Sequence, residues 1–512
     1  MNRPSIRVSL WIMMLAVVMA FATLLPQSTA VADKSRAVSG WFGWWVSAEN
    51  ILREADKSNG VMGEASLFWW NWSSPTRPIC TTAGGGCQSK SNTPWTNSRT
   101  DAARQGLQNR GILVFATHTD LDPSKSGELA NFLKKPQNRQ DLAEQFAEWA
   151  VKAKVDGVDL DWENMAFNDG ADSWDDTRPL LNDMIARLGQ ELRQAGKLLS
   201  VTVPAGVSPF LADGSPRPGG GYTVFDWATL STNVDRLRIM AYDYSFSSPG
   251  PIGPYNWARD VTRSAVAQVG NQQKRKLYIG LPQYGKSWFQ KKGNRYVTVG
   301  KCNAKWKPND PSSISLSPSA AKTLAKDRGV TPKLDKRSKE YTYTYKTRVS
   351  GSWKAANGDN RSSNCTVRKE VWFSAKQAAA GRVTIAEDFD IGGTAIWTYA
   401  TMANGSFKEL APLTKSKFQL KATTNKSKVK PGGTLTLTGK MKPKESGTKV
   451  KRQLKKNGKW RTKQKKITKA NGKVTFTFAS PKRPEQLKLR LVAKKTPRHG
   501  KIKSKVVTIK VG

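Results

Sequence analysis

The chain has 512 residues, a formal net charge of +45 and four cysteines. This length is too great for one ordinary domain, and the charge is far too basic for a typical cytosolic enzyme. Because His118 and His499 are the two histidines of the sequence, a cysteine–histidine metal site is excluded. We expect neither a metal nor a cofactor.

Residues 1–32 have the pattern of a secretory signal peptide. A positively charged start precedes an apolar stretch and the small-residue cleavage site Ala30-Val31-Ala32. The alternative is a retained membrane anchor, which needs about 20 apolar residues, and the cleavage motif favours removal. We therefore expect a secreted protein, either released or associated with the cell wall, with no transmembrane segment after cleavage.

Four cysteines in a secreted chain indicate two disulfides, for which three pairings are possible. Cys80 and Cys87 bracket a short Thr-Thr-Ala-Gly-Gly-Gly loop, and this proximity favours a bond between them. Cys302 would then pair with Cys365.

Strands alternate with helical patterns between Val38 and Ala400, which indicates an α/β fold with a parallel sheet. The eight predicted strands are Gly40–Val46, Ala65–Trp70, Gly111–Thr117, Gly157–Trp162, Leu198–Val203, Arg236–Tyr242, Leu277–Leu281 and Gly393–Tyr399. Apolar residues at helical spacing predict helices at Asp141–Lys154, Pro179–Ala195, Asp226–Leu230 and Ala265–Val269. Eight such units predict a (β/α)8 TIM barrel, here assigned to residues 38–412, with its chemistry at the carboxyl ends of the strands.

The longest gap in this repeat lies between the seventh and eighth strands. A structureless loop over Pro282–Ile391 would count against the barrel. The β-rich runs Tyr341–Tyr345 and Cys365–Trp372 predict instead a small inserted α+β subdomain at about residues 286–375. We expect the Cys302–Cys365 bond to staple this subdomain, and the subdomain to form one wall of a cleft.

The composition changes abruptly at residues 413–512, which contain 32 lysines and arginines against two acids. Alternating apolar and polar residues predict strands at Thr434–Gly439, Lys449–Lys455, Lys473–Phe478, Gln486–Ala493 and Lys505–Val511, and Asn457-Gly458 is typical of a two-residue hairpin turn. The pattern predicts an all-β sandwich, immunoglobulin-like, with lysines on its solvent faces.

The fourth predicted strand ends in the acidic sequence Asp159-Leu160-Asp161-Trp162-Glu163. Alternate side chains of a strand point to opposite faces, so the three carboxyl groups share one face. Mutual repulsion should raise at least one pKa, which would leave a carboxyl group protonated near neutral pH. The alternatives are a solvated acidic edge strand or a calcium loop, and the hydrophobic alternation argues against both.

The sequence Asp156-Gly-Val-Asp-Leu-Asp-Trp-Glu163 resembles the signature of family 18 glycoside hydrolases, the chitinase-like enzymes. Three further stretches occur in the order of that family. They are Met240-Ala-Tyr-Asp243, Gly280-Leu-Pro-Gln-Tyr-Gly285 and Ala395-Ile-Trp397. The resemblance covers about residues 38–402 and does not include the basic C-terminal domain.

The resemblance implies catalytic roles for four residues. Glu163 would protonate the glycosidic oxygen, and the substrate's own N-acetyl carbonyl would be the nucleophile, an exception to the scheme with two protein carboxylates. Asp161 would accept a hydrogen bond from the acetamide N–H, and the Tyr242 hydroxyl would bond the acetamide oxygen. Asp159 would tune Asp161 through a shared proton.

The resemblance also implies substrate-binding residues. Asp243 would contact sugar hydroxyls, Met240 and Tyr284 belong to the same motifs, and Trp397 would form an apolar floor under the reactive sugar. Tyr242 and Trp397 could instead be packing residues, but their places at strand ends favour the site. His118 is expected to be a satisfied barrel histidine. The remaining tryptophans are dense enough to suggest sugar subsites, although any one of them could equally be a core residue; they include Trp44, Trp45, Trp69, Trp70, Trp72, Trp257, Trp288 and Trp372.

Two departures from the family pattern concern the substrate. The third strand lacks the Ser-x-Gly-Gly of chitinases proper, and Asn164-Met165 replaces the frequent Tyr-Pro. Both favour branches that act on peptidoglycan or other N-acetylglucosamine polymers.

The sequence thus predicts a secreted hydrolase of β-1,4-linked N-acetylglucosamine polysaccharide, chitin or peptidoglycan, with a retaining, substrate-assisted mechanism. A non-catalytic carbohydrate-binding protein or a cell-wall scaffold on the same barrel is the alternative. The basic domain would bind anionic cell-envelope polymers or carry solvated charge. Nucleic acid is disfavoured, because no motif interleaves aromatic and basic residues.

Overall fold

The computed structural model describes residues 36–81, 87, 98–207, 209–211, 215–414, 419–442, 446–494 and 502–512. The expected signal peptide therefore lies outside the described residues. The chain divides into two compact units, one of them Arg36–Lys415 and the other containing Ser416–Gly512. The division falls three residues later than the predicted boundary, since Leu413 ends a helix and is buried in the core of the first unit.

Eight parallel strands form a closed barrel in the first unit. In chain order they are β1 (Ala37–Gly43), β2 (Glu64–Asn71), β3 (Leu113–Thr119), β4 (Gly157–Asp161), β5 (Leu198–Pro204), β6 (Arg236–Met240), β7 (Leu277–Pro282) and β8 (Gly393–Trp397). Each strand pairs with the next, and β8 closes on β1 through pairs such as Ser39 with Ala395. The predicted TIM barrel is confirmed, with all eight strands present.

Helices cover the outside of the barrel. They span Ala48–Lys57, Ser98–Asn109, Glu128–Leu133, Pro136–Lys152, Asn164–Phe167, Trp174–Gln194, Trp227–Asn233, Tyr255–Gln273, Lys376–Asp388 and Ser406–Thr414, with 3-10 turns at Pro123–Lys125, Ala171–Ser173, Lys274–Lys276 and Tyr399–Thr401. Each long helix buries one stripe against the strands. In Pro136–Lys152 this stripe includes Leu142, Phe146 and Trp149, residues at the spacing of one helix face.

An α+β insertion separates β7 from β8, as predicted. Its strands are Gly285–Phe289, Lys291–Lys292, Arg295–Tyr296, Thr298–Val299, Lys307–Pro308, Ser313–Leu316, Lys333–Asp335, Glu340–Lys354 and Asn360–Phe373, and its helix is Pro318–Asp327. The two long strands form a hairpin in which Val349 is opposite Cys365. A disulfide joins Cys302 to Cys365 here, and the other joins Cys80, in a short strand Cys80–Thr81 beside β2, to Cys87.

The second unit is a sandwich of two sheets. One sheet contains Gln419–Thr424, Thr434–Lys442 and Lys473–Ala479, and the other contains Lys428–Val429, Lys449–Lys456, Lys459–Ile467, Glu485–Ala493, Ile502–Lys503 and Val507–Val511. Residues of both sheets, among them Leu437, Phe476 and Leu491, form one buried core. The all-β sandwich is thus confirmed, while its immunoglobulin-like character stays a prediction. Across the described residues of the chain, no helix has the length and apolar character needed to span a membrane.

Candidate active site

The three acidic residues at the end of β4 lie at the carboxyl end of the barrel. The alternation of side chains along the strand sets the direction in which they point. Asp159 and Asp161 belong to the strand and are buried, while Glu163 follows it and precedes the short helix Asn164–Phe167. Trp162 points the other way, packing its ring against Phe146 of a surrounding helix. The predicted separation of the two faces is therefore present in the structure.

Asp159 is surrounded by donors from four different strands. Its Oδ2 accepts hydrogen bonds from Trp41 Nε1 at 2.8 Å and Thr117 Oγ1 at 2.9 Å, and Thr202 Oγ1 donates to Oδ1 at 3.2 Å. The guanidinium of Arg238 lies 3.1 Å from Oδ2. The sequence did not point to these four partners, although an arginine at an inward position of β6 is the signal that could have drawn attention.

Asp161 and Glu163 form a hydrogen-bonded pair of carboxyl groups. Burial raises the pKa of Asp161 well above its usual value, and the charges of Glu163, Asp159 and Asp120 add to the rise. Burial also raises the pKa of Glu163 to about 7, opposed by the hydrogen bond from Asp161 and assisted by the charge of Asp243. A bond between two carboxyl groups needs one proton, so Asp161 and Glu163 share a proton.

Asp120, directly after β3, is a fourth carboxyl group of the site that the sequence reasoning missed. Its Oδ1 accepts the backbone N–H groups of Glu163 at 2.5 Å and Asn164 at 3.1 Å, while its buried Oδ2 has no hydrogen-bond partner. Burial raises its pKa to about 7. Because Asp120 caps the helix that follows Glu163, it fixes the backbone from which the Glu163 side chain extends.

The loop after β6 brings Tyr242 and Asp243 to the same site. Tyr242 is half-buried, and burial followed by the charges of Asp161 and Glu163 raises its pKa well above the usual value. Asp243 has a left-handed backbone with φ of 54°. It accepts a hydrogen bond from the Tyr284 hydroxyl at 2.7 Å and forms an ion pair with Lys286 Nζ at 3.2 Å. Lys286 is another residue that the sequence did not point to.

Met240 ends β6 and is partly exposed. At the end of β8, the Trp397 ring is also partly exposed and packs 5.0 Å from the Phe68 ring and 6.1 Å from the Trp41 ring, between centroids. Since the Trp41 indole also bonds Asp159, the proposed sugar floor and the buried carboxylate share one neighbour.

The remaining tryptophans divide between core and surface. Trp44 and Trp45, after β1, are 41% and 55% exposed, and the Trp45 ring lies 6.5 Å from that of Trp397. The side chains of Trp257 and Trp372 are partly exposed. Of the eight tryptophans named from the sequence, Trp69, Trp70, Trp72 and Trp288 are fully buried.

His118 belongs to the barrel wall. It is fully buried, its Nδ1 accepts the indole N–H of Trp162 at 3.0 Å, and its Nε2 donates to the carbonyl oxygen of Pro78 at 2.8 Å. Burial lowers its pKa to about 4. Among the described residues, no cluster of three or more His, Cys, Asp and Glu side chains could hold a metal ion.

A buried, proton-sharing carboxyl pair beside a tyrosine and a tryptophan at the mouth of a TIM barrel suits acid–base chemistry on a sugar. The sequence model of Glycosyl hydrolases family 18 matches residues 120–401, which is more than half of the chain. The protein is therefore a glycoside hydrolase, and it belongs to family 18.

The chain also resembles proteins of known sequence and structure. The chain is 29% identical over 192 residues to the putative sporulation-specific glycosylase YdhD of Bacillus subtilis (strain 168), covering 37% of this chain and 41% of that protein. The chain thus matches less than half the length of this relative.

Two solved structures share the fold. The chitinase from Chromobacterium violaceum ATCC 12472 has a TM-score of 0.54 at 18% identity, covering 74% of this chain and 98% of that one. The Bacillus megaterium QM B1551 spore cortex-lytic enzyme SleL has a TM-score of 0.54 at 12% identity, covering 75% and 76%.

Proposed function

We propose that this protein is a secreted enzyme that hydrolyses β-1,4-linked N-acetylglucosamine polysaccharide by a retaining, substrate-assisted mechanism. The observation that carries the proposal is the buried Asp161–Glu163 pair with its shared proton, next to Tyr242. Secretion rests on the signal-peptide pattern of residues 1–32.

In the first step, the Glu163 carboxyl donates its proton to the glycosidic oxygen as the bond to the anomeric carbon breaks. The carbonyl oxygen of the substrate's own acetamide attacks that carbon, so the sugar supplies the nucleophile. Asp161 accepts the acetamide N–H and compensates the positive charge of the resulting oxazolinium ion. The Tyr242 hydroxyl donates to the acetamide oxygen and holds it in line for attack.

In the second step, water attacks the anomeric carbon from the face that the leaving group vacated. The Glu163 carboxylate removes a proton from that water, and the acetamide oxygen departs. Two inversions leave the anomeric configuration unchanged. Trp397 supports the sugar ring through its C–H face, and Asp243, tied to Tyr284 and Lys286, binds sugar hydroxyls.

Peptidoglycan is the substrate that we place ahead of chitin. The third strand reads Leu113–His118 without Ser-x-Gly-Gly, and a spore cortex-lytic enzyme and a sporulation-specific glycosylase stand among the similar proteins beside chitinases. Turnover rates on a panel of chitin oligosaccharides, peptidoglycan fragments and N-glycans measure the substrate preference. Turnover confined to chitin oligosaccharides would contradict the preference but leave the mechanism intact.

Replacing Glu163 by Gln tests the catalytic proposal. The variant keeps the shape of the side chain but has no proton acid enough to donate, so we expect hydrolysis of the active substrate to disappear while binding remains. Reducing-end release measures turnover, and calorimetric titration measures binding. The control is Glu128→Gln, which makes the same exchange at a residue hydrogen-bonded to Trp72 and should keep activity. Gln283→Glu would not serve as a control, because Gln283 is buried. Undiminished turnover in Glu163→Gln would favour the carbohydrate-binding alternative.

The basic sandwich, in this proposal, retains the enzyme on anionic cell-envelope polymers. Its support is charge, because residues 413–512 carry 32 basic side chains against two acids. We expect deletion of Ser416–Gly512 to leave turnover of small soluble substrates unchanged and to reduce retention on whole cells at low salt. Co-sedimentation with cells across a salt series measures this. Equal retention of both proteins would leave the sandwich without this role.

A further inference from the structure

Arg238 lies inside the barrel, where its guanidinium contacts the Asp159 carboxyl group of β4. It is fully buried on β6, with its guanidinium 5.1 Å from the Trp41 ring and 5.0 Å from the Phe115 ring. A buried charge is costly unless partners compensate it. An arginine at this place therefore needs an account that the proposed mechanism does not supply.

Arg238 makes its hydrogen bonds through one nitrogen. Its Nη1 lies 2.6 Å from Ser66 Oγ and 3.1 Å from Asp159 Oδ2, whereas Nε and Nη2 have no hydrogen-bond partner. The nearest contact of Nη2 to a carboxylate is 3.7 Å, to Glu64 Oε2. The best-formed ionic contact of this arginine is thus directed at the active-site side of the barrel.

Arg236, two residues earlier on the same strand, is a natural comparison. Its Nη2 lies 2.8 Å and its Nε 2.9 Å from Glu64 Oε1. Burial alone would raise the pKa of Glu64, but the charges of Arg236 and Arg238 hold it below its usual value. The two arginines balance the charges of the Glu64 and Asp159 carboxylates. Arg236 forms its ion pair with Glu64, and Arg238 forms its shorter ion pair with Asp159.

The donors around Asp159 decide where the shared proton of the site can lie. Both oxygens of Asp159 already accept hydrogen bonds, from Trp41, Thr117 and Thr202, in addition to the Arg238 contact. A carboxyl group whose oxygens both face donors acts as an acceptor, because a proton on either oxygen would face another donor. The proton bonded by Asp161 is consequently directed to Glu163.

We propose that Arg238 is a positioning residue: by holding Asp159 as an acceptor among its donors, it leaves the single shared proton between Asp161 and Glu163, on the substrate side of the site. This inference rests on the proposed function and replaces the expectation that Asp159 shares a proton with Asp161. Asp161 is then turned toward the substrate before binding, and the acid–base pair is complete in the free enzyme.

The pH dependence of kcat/KM reports on this arrangement. Activity needs the pair to hold one proton, so the profile is bell-shaped. Charged and titratable groups face Arg238 from several strands, and the tyrosines among them have pKa values that burial raises above their usual range. These groups are Asp159 from β4, Glu64 from β2, Arg236 from β6, Tyr278 from β7 and Tyr399 after β8.

The experiment compares Arg238→Met with Arg236→Met, which removes the same charge from the same strand. We expect Arg238→Met to lower kcat by about 10-fold or more with little change in KM, and to move the pH profile upward, because an uncompensated anion favours protonation of the pair. Arg236→Met should leave the position of the profile unchanged. Equal profiles for the two variants would overturn the inference.

Asp159→Asn provides the opposite perturbation and a second route if Arg238→Met does not fold. It leaves the positive charge of Arg238 uncompensated, so the profile should move to lower pH, and a role limited to stability predicts no such reversal of sign. An unshifted or upward profile would contradict the inference. An inactive wild-type protein on every N-acetylglucosamine substrate would instead contradict the proposed function itself.

Discussion

The two units of the chain handle charge in opposite ways. In the barrel, Arg236, Glu64, Arg238 and Asp159 are buried and alternate in sign. In the described part of the basic sandwich there is no salt bridge, and the charged side chains lie mainly at the surface around an apolar core. Buried charges act strongly on their neighbours because solvent does not screen them, whereas water and salt weaken the interactions of surface charges. Substitutions in the two units should differ accordingly.

After the loss of hydrolysis in Glu163→Gln, the largest effect is expected from a single hydroxyl group in the barrel. Tyr242→Phe removes the donor that holds the acetamide oxygen, and we expect kcat to fall by about 10²-fold with a smaller change in KM. Initial rates on the preferred oligosaccharide measure this. Tyr244→Phe is the matched control, since Tyr244 lies two residues on in the same loop and is 56% exposed. An unchanged kcat in Tyr242→Phe would remove Tyr242 from the proposed mechanism.

A smaller effect should follow from changing one charge at the rim of the site. The acid limb of the kcat/KM profile should lie near pH 7, since Glu163 has a pKa of about 7 and a fully protonated pair has no carboxylate for the acetamide N–H. Burial and then Asp243 raise that pKa, so Asp243→Asn should move the profile to lower pH. Asp359→Asn, at an exposed turn of the insertion, should not. A profile that stays in place would show that burial alone sets the Glu163 pKa.

The smallest effect is expected in the sandwich. Lys451 and Lys465 are directly opposite each other on neighbouring strands, where like charges destabilise a sheet. Lys465→Glu should stabilise the sandwich by roughly 0.2–1 kcal/mol, which slower amide exchange in strand Lys449–Lys456 would detect. Lys463→Glu is the control, because a register shift leaves Lys463 without a cross-strand partner. Equal stabilisation by both variants would assign the gain to net charge rather than to the pair.

Local patterns in the sequence predicted most of the architecture. Alternation in Gly157–Trp162 and the helical stripe of Pro179–Ala195 each report on burial of one face, and the structure places β4 and helix Trp174–Gln194 there. The strand Lys459–Ile467 escaped prediction because it is an edge strand with mostly exposed side chains, so no apolar alternation marks it. The Asn457-Gly458 turn before it was recognisable, since both residues adopt the positive φ that such a hairpin requires.

The sequence by itself determined three carboxyl groups of the site, because Asp159, Asp161 and Glu163 occupy alternate positions at the end of one strand and their spacing alone puts them together. Only the tertiary structure decided what surrounds them. Trp41, Asp120 and Arg238 come from β1, the end of β3 and β6, and closure of the barrel is what brings strands so distant in sequence into contact. The position of the shared proton depends on those neighbours, and so no local pattern could reveal it.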